Sequence, residues 1–247
     1  MASELQRVFE YSADFYLKKI LLIALFSVPF FVAFLVPLLV PAPTYLAAGG
    51  LLVRTGSLPE FSVIDVILVS VAYFFAMFII SDTIVNINII VRSKRTLNET
   101  TQEMFSAMQT HAMKIFYILT FVLLLNFIVQ LLIAYFDIPF GALLYPLFSF
   151  VVSFLLFYIA PAVVIDNSSI DEAIARSMRL AVRKPEMIIA WLLVGSVLLI
   201  VSKVFGDFIF PGLFSQYFVM LINAILLLPF LIVLQTQMYM EKYPLAR

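Results

Sequence analysis

Six apolar runs, at residues 20–40, 64–91, 115–136, 140–165, 187–205 and 214–237, dominate this chain. Each is long enough to cross a hydrocarbon layer about 30 Å thick as a helix. Inside a bilayer every backbone N–H and C=O must find a partner within the protein, which leaves helices or a closed barrel. Runs of this length predict helices. The chain has 247 residues, of which 64% are apolar and only 12% charged. A soluble domain carries about 25% charge, so a water-facing surface cannot be built here. The expectation is an all-α integral membrane protein with six transmembrane helices. Residues 1–247 read as one membrane domain, with the first run uncleaved and no length left for a soluble domain.

The charges order these runs in space. Thirteen of the fifteen Lys and Arg fall in four segments, 1–19, 92–114, 166–186 and 238–247. Only Arg54 and Lys203 fall toward the opposite side. The two kinds of connection alternate, as they must if each run spans. By the positive-inside rule, this predicts a multi-pass protein of the plasma membrane with both termini cytoplasmic.

The charge-rich segments read as amphipathic helices on the cytoplasmic side. Ser169-x-x-Glu172 is a capping box, in which the serine oxygen accepts an orphan amide at the helix start. Ile170, Ala173, Ile174, Met178 and Ala181 then recur at helical spacing, and Pro185 closes the segment. Thr96-x-x-Glu99 opens a second such segment, with Leu97, Met104, Phe105, Met108 and Ala112 as its stripe. Ser3-x-x-Gln6 opens a third, with Leu5, Val8, Phe9, Ser12 and Tyr16. A capped helix followed by two spans would then occur three times, over 1–91, 92–165 and 166–247. A shift of 73 residues places Thr96 on Ser169 and Glu99 on Glu172. Units with two spans share one orientation, which predicts parallel repeats about a pseudo-threefold axis. The same spacing also fits the ordinary alternation of capped helices and spans.

The third unit carries a resemblance. Ala160-Pro161-Ala162-Val163-Val164-Ile165-Asp166 leads into Ile170-Asp171-Glu172-Ala173-Ile174-Ala175-Arg176-Ser177, then Arg179 and Lys184. Over about residues 155–200 this resembles the six-span membrane domain found with glycerophosphoryl diester phosphodiesterases, and its stand-alone relatives. The resemblance implies a six-helix fold and a lipid-related setting. It does not extend to a hydrolase, so no diesterase activity is implied.

Asp82 is the most unusual residue, an ionisable group inside the second run. Such groups cost at least about 2.5 kcal/mol at membrane depth and mark functional sites by default. Asn86 lies on the same helix face, at i+4. Asn126 and Gln130 repeat that spacing in the third run, and Asn223 lies in the last. These five are candidates for an ion or ligand site, or for hydrogen bonds that hold helices together. Arg176, Arg179, Arg183 and Lys184 are candidates for lipid head groups, or simply a collar that sets topology. Pro29, Pro37, Pro161 and Pro229 lie inside runs and predict kinks.

No Cys, no paired intramembrane carboxylates and no His-Glu-x-x-His pattern occur. No catalytic residue, metal site or cofactor is expected, and the lone His111 has no ligand cluster around it in sequence. Zero net charge gives no field for nucleic acid. The expected partners are membrane lipids, a second copy, or other membrane proteins. Two functions follow. One is a non-enzymatic module that binds, transports or scaffolds lipids or amphiphiles. The other is a small transporter or channel with Asp82 as its proton or cation site.

Overall fold

The computed structural model describes residues 2–35, 45–48, 51–54, 63–96, 100–136, 140–210 and 212–241. These form helices α1 (Ala2–Lys18), α2 (Ile20–Leu35), α3 (Val63–Thr96), α4 (Thr100–Tyr135), α5 (Gly141–Leu155), α6 (Ile159–Ile165), α7 (Ile170–Arg183), α8 (Pro185–Ile209), α9 (Leu213–Ile222) and α10 (Leu228–Met240). A π-helical turn, Asn223–Leu227, joins α9 to α10. Between α2 and α3 lies one short antiparallel hairpin, β1 (Tyr45–Ala48) with β2 (Leu51–Arg54), in a connection the sequence left without structure.

Among the described residues, five spans are long and apolar enough to cross a membrane: Ile67–Ser93, Thr110–Ile133, Leu143–Ile165, Pro185–Ile209 and Phe214–Met240. The number rises to six if α1 and α2, which meet at 86°, are counted together as one broken span. Large apolar side chains such as Leu21, Phe121, Val204 and Phe208 point outward, as lipid-facing residues do. The centre is α10, where Leu231, Ile232, Val233, Leu234, Met238 and Tyr239 are all buried. A helix buried on nearly every side belongs inside a bundle. It packs against α1, α3, α6 and α8.

Two spans are irregular, and their sequences say why. Pro161 has no N–H and deprives the Phe157 carbonyl, four residues back, of its helical donor. The helix accordingly breaks at residues 156–158, between α5 and α6. Gln235 of α10 donates its side-chain amide to the Phe157 carbonyl. In the last span Pro229 follows the π turn, where Leu228 N–H reaches back to Asn223 O. Tyr16 Oη donates to Leu226 O in that turn at 2.8 Å, and Trp191 Nε1 donates to Leu231 O at 2.7 Å. Side chains from other helices thus take up carbonyls around both interruptions, as a low-dielectric interior requires. Pro29 lies inside α2, while Pro37 falls outside the described residues.

Three expectations about the charge-rich segments need correcting. Segment 92–114 is not a separate amphipathic helix. Residues through Thr96 belong to α3, and α4 runs unbroken from Thr100 into the third span. Thr96 therefore ends one helix rather than capping the next; Leu97 and Glu99 fall outside the described residues, as do the side chains of Met104, Phe105 and Met108. Long runs of good helix formers with no proline simply continue the helix. Likewise α1 is already helical at Ala2, so Ser3 is not its N-cap. On α7 the cap is as expected, with Ser169 Oγ accepting from Glu172 N at 3.4 Å. Its buried line, however, is Ala173, Ser177 and Ala181, while Met178 is exposed.

Candidate functional site: a polar seam at the charge-rich end

The seam is built around the turn from α6 to α7. Asn167 adopts φ 50°, a left-handed conformation that Asn tolerates better than most residues. This reverses the chain and leaves the Asp166 side chain almost fully buried, at 4% exposure. Its Oδ2 accepts from Arg176 Nη1 at 2.6 Å and from Tyr239 Oη at 2.6 Å. One carboxylate therefore ties α7 and α10 to the end of α6. The hydrogen bond to Asp166, together with the nearby negative charge, holds the Arg176 guanidinium in its protonated form even more firmly than usual.

Ser177, one turn along α7, closes the break in the fourth span. Its hydroxyl donates to Leu155 O at 2.8 Å and accepts from Tyr158 N at 3.0 Å. The break exposes one acceptor and one donor, and a hydroxyl is among the few side-chain groups that answer both. Small residues at Ala173 and Ala181, four positions to either side, let α7 approach closely enough for this.

Two cations from the α3–α4 hairpin reach the same turn. Arg92 Nη1 donates to Val164 O at 3.2 Å, and Lys114 Nζ donates to Ser168 O at 3.0 Å. Val164 O is among the last carbonyls of α6, which lack internal donors and carry partial negative charge, so a cation there is favoured. His111 lies one turn before Lys114 on α4. His111 and Ser168 are 6% and 2% exposed. Neither His111 Nδ1 nor Ser168 Oγ has a hydrogen-bond partner among the described residues.

The other sequence candidates do not gather. Asp82, half-buried in α3, accepts from Asn86 Nδ2 at 3.1 Å, and Asn86 Oδ1 is buried without a partner among the described residues. Asn88, two residues on, accepts from Thr236 of α10 at 2.8 Å. Asn126 Nδ2 turns back to Val122 O of its own helix, and Gln130 is half-buried on α4. Asn223 sits in the π turn and accepts from Ser202 of α8 at 2.9 Å. Asp82, Asn86 and Asn126 bond within their own helices, and Asn223 bonds across to α8.

The head-group candidates divide into two pairs. Arg176 is engaged by Asp166 and by Glu172 at 3.6 Å, and Lys184 faces Glu4 of α1 at 3.8 Å. Arg179 and Arg183 stand exposed, with no ion pair among the described residues. Sequence reasoning missed Asp166, Ser177 and Tyr239 as a set. Their signals were a carboxylate directly after an apolar run and a lone Ser among small residues at four-residue spacing. No protein-family model, curated protein or solved structure matches the chain.

Proposed function

We propose that this chain is a non-enzymatic, multi-pass module of the plasma membrane that binds or scaffolds lipids at its cytoplasmic face, with both termini on that side. The observation that carries the reading is the 86° bend between α1 and α2. If α2 crosses the membrane, α1 lies along its surface. The Lys184–Glu4 pair joins it to the start of α8, directly after α7. Two surface helices with Lys19, Arg179 and Arg183 exposed, beside Lys18 paired with Asp14, present cations suited to anionic head groups. The resemblance to the six-span domain found with glycerophosphoryl diester phosphodiesterases points the same way. So does the three-unit reading, in which α1 and α7 each precede a span, although the middle unit has merged its surface helix with its span.

Native mass spectrometry of the protein in mild detergent tests this. The expected result is a retained lipid, reduced in Arg179→Ala/Arg183→Ala. A protein that carries no lipid at all is evidence against the reading. A second reading, ion transport through Asp82, draws on the Asp82–Asn86 bond inside a span. It expects pH-dependent flux in liposomes that Asp82→Asn abolishes.

A further inference from the structure

We infer that Arg92, His111, Lys114 and Ser168 form a binding site for a phosphate group at the turn between α6 and α7. As a lipid site it rests on the reading above, and it names a different place from the exposed arginines of α7.

Four observations meet here. Arg92 and Lys114 deliver two positive charges to one turn, anchored on Val164 O and Ser168 O. The neighbouring carboxylates Asp166 and Glu172 are both drawn to Arg176. Ser168 and His111 are more than nine-tenths buried, and each presents a polar atom without a partner among the described residues. Buried polar groups are almost always hydrogen-bonded, and one left unmatched costs about 1–3 kcal/mol. Two such groups beside two cations are the complement of a multi-oxygen anion. A hydroxyl and a ring N–H donate; a guanidinium and an ammonium supply charge.

Depth selects the anion. The spans end at Ser93, Thr110 and Ile165; Arg92, His111 and Lys114 lie within about one turn inside two of these ends, and Ser168 lies just beyond the third. That is the level of a phospholipid's phosphate. A free phosphate entering from the water phase has the same chemistry, and the experiment separates the two.

The test uses the whole chain in mild detergent. Wild type, Ser168→Ala and Lys114→Met are each offered phosphatidylglycerol, a phosphate-free galactolipid and, separately, inorganic phosphate. Bound ligand is read by native mass spectrometry and calorimetry. Wild type should retain phosphatidylglycerol over the galactolipid. Ser168→Ala should lower that retention roughly tenfold, the effect of one hydrogen bond to a charged group, and Lys114→Met by more. Arg179→Ala/Arg183→Ala should leave the preference for phosphate intact. Ser168→Ala removes only a hydroxyl, so an unchanged melting temperature will show that the fold is kept.

If inorganic phosphate binds with the same sensitivity to both variants and lipid does not, the site stands with a soluble ligand and the lipid reading fails. If phosphatidylglycerol is retained equally by wild type and both variants, the lipid reading stands and this site is wrong. Arg92 and Lys114 then do no more than neutralise the end of α6. Binding of neither probe by wild type overturns both.

Discussion

The two ends of the bundle are held in different ways. At the charge-rich end, Asp166 bonds to Tyr239, Ser177 to Leu155 and Tyr158, Arg92 to Val164, and Gln235 to Phe157. The partners are 19 to 78 residues apart. At the opposite end, Lys203 pairs with Asp207 four residues on, and Asp207 accepts from Ser215 only eight residues away. Close packing does the remaining work there. A Cβ on Gly206 would collide with Val219 Cγ2, so the absence of a side chain is what lets α8 and α9 meet. One end is fixed by bonds that only the folded bundle can make. The other uses contacts that a two-helix fragment already contains.

Substitutions at the two ends should therefore differ in kind. Asp166→Ala should have the largest effect on unfolding in micelles, because it removes the carboxylate that accepts from Tyr239 and Arg176 and releases α7. Ser177→Ala should follow, at about 2–4 kcal/mol, since it strands one buried donor and one buried acceptor. Tyr239→Phe should cost about 1.5–3 kcal/mol, the value of a hydrogen bond to a charged group. A double-mutant cycle with Asp166 should recover most of that as coupling. Gly206→Leu should separate α8 from α9 and lower the unfolding temperature without loosening α7, which proteolysis of the α7 segment can check. Lys203→Ala should leave the transition where it is, as exposed i, i+4 pairs usually do. A Lys203→Ala effect as large as that of Tyr239→Phe would erase the contrast between the ends.

Much of the architecture is legible in the sequence. Apolar run length and charge alternation place the helices, and Pro161 and Pro229 mark the two interrupted spans. The capping box at Ser169 appears as expected because it is a local device spanning three residues. The expectation at Thr96 fails for a related reason. A capping pattern does not make a separate surface helix when the helix after it runs without a break into the span. The seam is less readable. Asp166, Arg176 and Tyr239 meet only because α10 threads the centre of the bundle, and no periodicity records which helix is central. Asp82 drew attention as a lone charge in an apolar run. Yet its partner, Asn86, is one turn away on the same helix. Rarity in sequence identified the costly residue, but not the assembly of partners.

The α3–α4 hairpin has a mechanical consequence. α4 begins at Thr100, ten residues before its span starts at Thr110. At 1.5 Å per residue those residues reach about 15 Å past the span. They form a stiff mast, continuous with the span and without a proline to absorb rotation. When a bilayer thins and its helices tilt to match, such a mast swings through the water phase like a pointer. A tilt of about 10° at a tip roughly 15 Å beyond the lipid is a movement of about 3 Å. The α6–α7 turn is tied to the same helix through Lys114, so the thickness of the membrane is felt at the turn.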